Sequence, residues 1–243
     1  MARDLIHCIG DSHVNLFTGR HYAPRIWPKR SIDLLPNFRT FRLGAPLAYN
    51  LPKSGTTSRG RERLFEVLAR PDLVPSGSRV LLCFGEIDCR THLLRQAAAQ
   101  QRPVADLAAE CARRYLGVAA EVAALGFRVL VYNVIASTPR EIGDFEFPTY
   151  GTCRKRNAAT ALFNQALRQG CAEAGHGFLE NFDLLVDAGG LTRESYYCQD
   201  RIHLSQRALA PTVERVRRIV PGMILEKPFL PVARRLFWDM VKR

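Results

Sequence analysis

Short apolar runs alternate with amphipathic segments along most of the chain. Strand-like runs occupy residues 5–9, 39–43, 79–84, 127–135 and 177–180, and helical spacing of apolar residues covers 57–69, 104–124, 154–173 and 205–219. Continuous apolar strands that alternate with helices are typical of a parallel sheet covered on both faces. The pattern therefore predicts an α/β fold, a three-layer α/β/α sandwich with a parallel sheet of about five strands.

Two stretches lack a clear period. Residues 13–38 are rich in aromatic, basic and proline residues, which indicates a long loop or short helices beside the first strand. Residues 221–243 begin with Pro221-Gly222 and continue as a basic, partly apolar sequence. We therefore predict one domain over 1–220 and a basic, helical C-terminal tail over 221–243. Two alternatives stay open for the tail: an interfacial helix on a membrane, or a helix docked on the domain.

The chain carries 35 Lys and Arg against 23 Asp and Glu, a net charge of +12. This excess is concentrated in residues 1–70 and 214–243, while the middle of the chain is neutral. An Arg-rich soluble protein, an acidic substrate or an anionic lipid surface would each account for it. No zinc-finger, basic-zipper or RNA-recognition pattern occurs, so we expect no nucleic-acid partner.

The seven cysteines are scattered and form no C-x-x-C pair, so neither a metal site nor a redox motif is expected. Free thiols in this number suit a reducing cytosol. The N-terminal residues show no signal-peptide pattern, and no run of about 18 apolar residues suggests a transmembrane helix. The sequence therefore predicts a cytoplasmic protein, with peripheral membrane contact through the tail as a further hypothesis. It leaves the oligomeric state open.

Two short motifs carry candidate chemistry. Gly10-Asp11-Ser12-His13 follows the first strand, where ligands bind in open α/β sheets. Near the last helix, Asp200 precedes His203 by three residues, so one loop can position an acid and a base. Imidazole can accept a serine proton, and a carboxylate can hold the imidazole tautomer. Taken alone, the first motif could equally be a helix cap, and the second is more typical of a capped helix with a surface histidine.

Together the two motifs resemble the SGNH, or GDSL-like, hydrolase family over roughly residues 4–219. The resemblance implies a flavodoxin-like strand order, Ser12 as nucleophile, His203 as base and Asp200 as the acidic member. It also implies an oxyanion hole that includes the backbone N–H groups of Ser12 and Gly44. No metal or organic cofactor is implied.

The third block of the family departs from its pattern. The family has Gly-x-Asn-Asp after the third strand, whereas this chain has Gly85-Glu86-Ile87-Asp88, and an isoleucine side chain cannot donate a hydrogen bond. Our first candidate for the missing oxyanion donor is Arg90, followed by Asn133 and His13. The alternative is a salt-bridged loop that shapes the pocket. The remaining pocket candidates are Asp11, Glu86 and Asp88.

The resemblance implies a serine esterase that cleaves carboxylic esters through an acyl-Ser12 intermediate. O-acetyl groups on a carbohydrate or another small acylated molecule are the expected substrates. Three alternatives remain: an O-acyltransferase that modifies a glycan, a binding module that has lost activity with the third-block asparagine, and a membrane-associated scaffold that acts through the tail.

Overall fold

The computed structural model describes residues 5–30, 32–143 and 146–223. Its five strands are all parallel: β1 (Ile6–Gly10), β2 (Phe38–Arg42), β3 (Arg79–Cys83), β4 (Arg128–Tyr132) and β5 (Gly177–Leu179). They lie side by side in the order β2-β1-β3-β4-β5. This order is flavodoxin-like, and it confirms the predicted α/β class and sheet.

Helices cover both faces of the sheet. They are α1 (Gly60–Leu68), α2 (Leu93–Gln100), α3 (Val104–Ala124), α4 (Cys153–Ala174), α5 (Phe182–Leu185) and α6 (Leu209–Ile219). Alternate residues of β3 point to opposite faces: Val80 and Leu82 pack with α1, α3 and α4, whereas Leu81 and Cys83 pack with α6. Two apolar cores therefore enclose the sheet, and the predicted three layers are confirmed.

Several predicted bounds differ from the observed ones for local reasons. The helix predicted from residue 57 begins at Gly60, because Arg59 has a left-handed backbone with φ of +50°. The strand predicted over 127–135 ends at Tyr132, because the Val134 N–H donates to the Asn164 side chain instead of continuing the ladder. The last helix is preceded by a short 3₁₀ helix, Gln206–Ala208, which Ser205 caps.

Sequence reasoning missed four short elements, among them α5 and a 3₁₀ helix over Glu194–Tyr196, and left one stretch open. The region after β3 forms a π-helical turn, Asp88–His92, that continues into α2. The open stretch 13–38 begins in a 3₁₀ helix, Ser12–Thr18. The predicted C-terminal helix falls almost entirely outside the described residues and stays a prediction. In the part of the chain that is described, no helix is long and apolar enough to cross a membrane.

Candidate active site

Ser12 stands where the chain leaves the carboxyl end of β1, inside the sheet rather than at its edge. Gly10, the last residue of β1, lies close against β3, and a Cβ atom there would overlap the Cys83 carbonyl oxygen. Asp11 then caps the following 3₁₀ helix, since its carboxylate accepts a hydrogen bond from the His13 N–H at 2.9 Å. Ser12 is the first residue of that helix, so the turn presents its side chain beyond the end of the sheet.

The structure brings Ser12, His203 and Asp200 together. The Ser12 hydroxyl Oγ lies 2.7 Å from His203 Nε2, and His203 Nδ1 lies 2.7 Å from Asp200 Oδ2. Both distances are within hydrogen-bond reach, as a nucleophile, its base and the group that orients the base require. Ser12 and His203 are 191 positions apart in sequence, so only the folded sheet makes this contact.

The Asp200 carboxylate is fixed at both oxygens. Oδ1 accepts hydrogen bonds from the N–H groups of Ile202 at 2.9 Å and His203 at 3.0 Å, while Oδ2 faces the imidazole. Partial burial opposes ionisation, but these hydrogen bonds hold the pKa of Asp200 well below its usual range. Because an ionised carboxylate can only accept, Nδ1 of His203 carries the proton and Nε2 is left to accept one from Ser12.

Two amide side chains, which sequence reasoning missed, join the Ser12 helix to the loop of His203. Asn15 Nδ2 donates to the Leu204 carbonyl at 3.2 Å. Gln206 Nε2 donates to the carbonyl groups of Leu16 at 3.3 Å and Arg20 at 2.7 Å. These partners lie almost at opposite ends of the described chain, so no local spacing could have indicated them. Both hydrogen-bonded links hold the helix of Ser12 against the loop of His203.

A buried charged cluster lies beside the Ser12–His203 pair. His13 Nε2 is 3.6 Å from Glu86 Oε2, and the His13 ring lies 5.0 Å from the His203 ring, centroid to centroid. Although burial opposes both charges, Asp11 and Glu86 raise the pKa of His13, and the contacts from His13 and Arg90 lower the pKa of Glu86 to about 2. The cluster therefore favours an ionised Glu86 facing a protonated His13.

Arg90, the first candidate for the missing oxyanion donor, does not fit that prediction. Its Nε donates to Glu86 Oε1 at 2.8 Å and its Nη1 to the Phe147 carbonyl at 2.5 Å. The side chain is only 5% exposed, so the guanidinium is engaged inside the protein. This geometry matches the alternative, a salt-bridged loop that shapes the pocket.

Asn133 is also engaged elsewhere. Its Nδ2 donates to the Val134 carbonyl at 2.6 Å, and its Oδ1 accepts from the Asn181 N–H at 2.7 Å. The side chain is buried and joins the ends of β4 and β5. Asn133 therefore supports the fold near the site and does not fit an oxyanion donor.

Asp88 fixes the loop that follows Gly44. Its carboxylate accepts hydrogen bonds from the N–H groups of Ala48 at 2.7 Å and Tyr49 at 3.2 Å. Complete burial raises the pKa of Asp88 to about 7, against the effect of these hydrogen bonds. Gly44 itself has φ of +105°, a backbone that favours glycine. Asp88 of the third block thus anchors the backbone at Ala48 and Tyr49, in the loop that follows Gly44.

The site has no feature of a metal centre. Among the described residues, no group of three or more His, Cys, Asp or Glu side chains could hold a metal ion. The seven cysteines are free thiols, and burial raises the pKa of Cys89, which stands next to the charged cluster.

A cavity of about 400 Å³ opens between Tyr49, Asp88 and Glu110, but Ser12 does not line it.

A serine whose base and acid are aligned beyond the carboxyl ends of a five-stranded parallel sheet is the arrangement of a serine hydrolase of the α/β class. The sequence matches the model of the GDSL-like Lipase/Acylhydrolase family over residues 8–209. The chain belongs to that family, and the resemblance inferred from the two motifs is confirmed.

Solved structures show the same fold at low sequence identity. Est24, a carbohydrate acetylesterase from Sinorhizobium meliloti, superposes with a TM-score of 0.52 at 14% identity, over 92% of this chain and 100% of that one. The OSK domain of Drosophila Oskar gives a TM-score of 0.54 at 10% identity, over 88% and 87%. No curated protein matches the sequence. At these identities the likeness concerns the fold alone.

Proposed function

We propose that this chain is a serine esterase that cleaves carboxylic esters through an acyl-Ser12 intermediate. The observation that carries the proposal is the continuous line of contacts from Ser12 Oγ to His203 and on to Asp200, with 2.7 Å at each step. An unactivated serine hydroxyl is a weak nucleophile, and this arrangement supplies the base that it needs.

In the first half of the reaction, Ser12 Oγ attacks the ester carbonyl carbon while its proton passes to His203 Nε2. The carbonyl oxygen becomes an oxyanion, for which the N–H groups of Ser12 and Gly44 are the proposed donors. The tetrahedral intermediate collapses as the bond to the alcohol oxygen breaks. His203 returns its proton to that oxygen, and the alcohol leaves an acyl-Ser12 enzyme.

In the second half, water takes the place of the alcohol. His203 Nε2 removes a proton from the water while the water oxygen attacks the acyl carbon. Collapse of this second intermediate breaks the bond to Ser12 Oγ, which recovers its proton from His203 as the carboxylic acid leaves. The ionised Asp200 stabilises the imidazolium that forms in both halves.

Short acyl esters, among them O-acetyl groups on carbohydrates, are the proposed substrates. The fold neighbour Est24 is a carbohydrate acetylesterase, and the family is one of lipases and acylhydrolases. The positive net charge of +12 further favours an acidic glycan as the carrier of the ester.

The proposal is tested by hydrolysis of p-nitrophenyl acetate and butyrate and by labelling with a fluorophosphonate probe. We expect Ser12→Ala to lose labelling and at least about 10⁴-fold in kcat, because it removes the nucleophile. Ser195→Ala, an exposed serine near the same loop, is the matched control and should keep both.

Two results would change the assignment. Labelling of the wild type without turnover would indicate an O-acyltransferase that lacks its acceptor. If folded protein shows no labelling and no turnover, the proposal of an enzyme is contradicted and a binding module is favoured.

A further inference from the structure

The segment that follows the Ser12 helix borders the catalytic loop; we call residues 20–30 and 32–34 the rim segment. The His21 carbonyl accepts a hydrogen bond from Cys198 Sγ at 3.5 Å. The Cys198 N–H in turn donates to the His203 carbonyl at 2.8 Å. The rim segment therefore lies directly against the loop that carries the base.

The rim segment exposes an unusual amount of apolar surface. Eight large apolar side chains are exposed in the described part of the chain, and four of them are here: Tyr22 at 58%, Ile26 at 40%, Ile32 at 75% and Leu34 at 40%. Arg20 draws two of them together, since its guanidinium donates to the Ile32 carbonyl at 2.9 Å and to the Tyr22 hydroxyl at 2.6 Å. Tyr22 and Ile32 are thus held near each other, and exposed apolar side chains that adjoin one another mark an interaction surface more often than scattered single residues do.

The charged side chains of the rim segment are mostly basic. Arg25, Lys29 and Arg30 are exposed, and Asp33 is the segment's single acidic residue. The Asp33 carboxylate is turned toward the protein, where it accepts hydrogen bonds from the Thr40 N–H at 3.0 Å and hydroxyl at 2.6 Å. The exposed charges that the rim segment itself carries are therefore positive, and the exposed carboxylate of Glu66 in α1 borders them, since it accepts a hydrogen bond from Trp27 Nε1 at 3.2 Å.

We propose that the rim segment docks the protein onto an anionic lipid bilayer. Exposed aliphatic and tyrosine side chains interleaved with Lys and Arg match the boundary between acyl chains and anionic headgroups. A protein partner would need an apolar patch surrounded by its own carboxylates, whereas an anionic membrane supplies both components at once. The rim segment would then place the loop of Asp200 and His203 next to the membrane surface. This docking does not depend on the proposed ester hydrolysis.

The test is co-sedimentation of the full chain with phosphatidylcholine vesicles, with and without phosphatidylglycerol. We expect binding to the anionic vesicles alone, weakened by salt because the headgroup attraction is screened. The double variant Ile32→Ser, Leu34→Ser should raise the Kd for lipid about tenfold through lost apolar burial. The matched control is Leu125→Ser, Leu191→Ser, two leucines of 54% and 43% exposure outside the rim segment, and it should bind like the wild type.

A second set of variants tests the charges and guards against misfolding. Arg25→Gln, Lys29→Gln, Arg30→Gln should also raise the Kd about tenfold, whereas Arg113→Gln, Lys155→Gln, Arg218→Gln should not. Thermal unfolding of each variant checks that it is folded.

Three results would overturn the proposal. The first is a wild type that does not sediment with anionic vesicles at low salt. The second is equal binding by rim variants and controls, which would assign the binding to another part of the chain. The third is a wild-type dimer that the Ile32→Ser, Leu34→Ser variant disrupts, without vesicle binding; the surface would then join two copies of this chain.

Discussion

Asp200 is the catalytic candidate whose contribution depends most on the state of a single proton. As a carboxylate it accepts from His203 Nδ1, whereas an asparagine there could donate to Nδ1 and stabilise the tautomer that cannot take the Ser12 proton. We expect Asp200→Asn to lower kcat about 10²–10⁴-fold with little change in stability. Asp183→Asn, which alters an exposed carboxylate paired with Arg215, should leave kcat unchanged. An equal loss in both variants would contradict a role specific to Asp200.

Ile87 occupies the position where the family has an oxyanion donor. It is 7% exposed and begins the turn that runs into the Asp88–His92 π-helical segment, and its side chain cannot donate a hydrogen bond. One missing donor typically costs about 10²–10³ in rate. We therefore expect Ile87→Asn to raise kcat for p-nitrophenyl acetate at least about tenfold relative to Ile87→Leu, which keeps the volume but adds no donor. If the two variants turn over alike, the oxyanion is already fully bonded.

At the scale of secondary-structure elements, the sheet could be predicted because buried parallel strands are short, continuous apolar runs. The three catalytic candidates could be found because each lies within a few residues of a strand end or of the last helix. The direction of the Arg90 side chain could not be predicted, because it depends on the π-helical turn that points the guanidinium at Glu86. The role of Asn133 could not be predicted for a similar reason. Its side-chain oxygen accepts a hydrogen bond from the Asn181 N–H just beyond the end of β4, a contact that only the folded sheet makes.

The packing of β1 against β3 gives a stability prediction with an internal control. A methyl group at Gly10 would collide with the β3 backbone, so Gly10→Ala should lower the free energy of unfolding by about 3 kcal/mol or more. Gly117 lies within α3, where an added Cβ would meet nothing within 4 Å. Gly117→Ala should therefore raise the free energy of unfolding by about 0.5–1 kcal/mol. Urea denaturation measures both, and changes of the same sign would contradict the prediction.

Over the whole molecule, two buried groups should shift stability with pH in opposite senses. Burial and nearby Arg39 lower the pKa of His7 to about 4, so between pH 6.5 and 4 the unfolded chain binds more protons and His7 destabilises the fold as pH falls. Burial raises the pKa of Asp88 to about 7, so the folded chain holds its proton longer and Asp88 costs stability as pH rises from about 4 to 7.

Single variants separate these opposing contributions. Relative to the wild type, His7→Gln should gain stability as pH falls from 6.5 to 4. Asp88→Asn should gain stability relative to the wild type as pH rises from about 4 to 7. A pH-independent loss of stability, from the weakened hydrogen bonds to Ala48 and Tyr49, is superimposed on this gain. Urea titrations across this range measure both differences, and a pH-independent difference for either variant would exclude the corresponding titration.

The contact between Ser12 and His203 also determines when, during the life of the polypeptide, a working site can exist. Ser12 leaves the ribosome before His203, which follows 191 residues later. A growing chain or a fragment cut before His203 therefore carries the nucleophile without its base. Any ester-cleaving activity would begin only after the chain from Ser12 to His203 has folded. Probe labelling at Ser12 would therefore report completed folding in a cell extract.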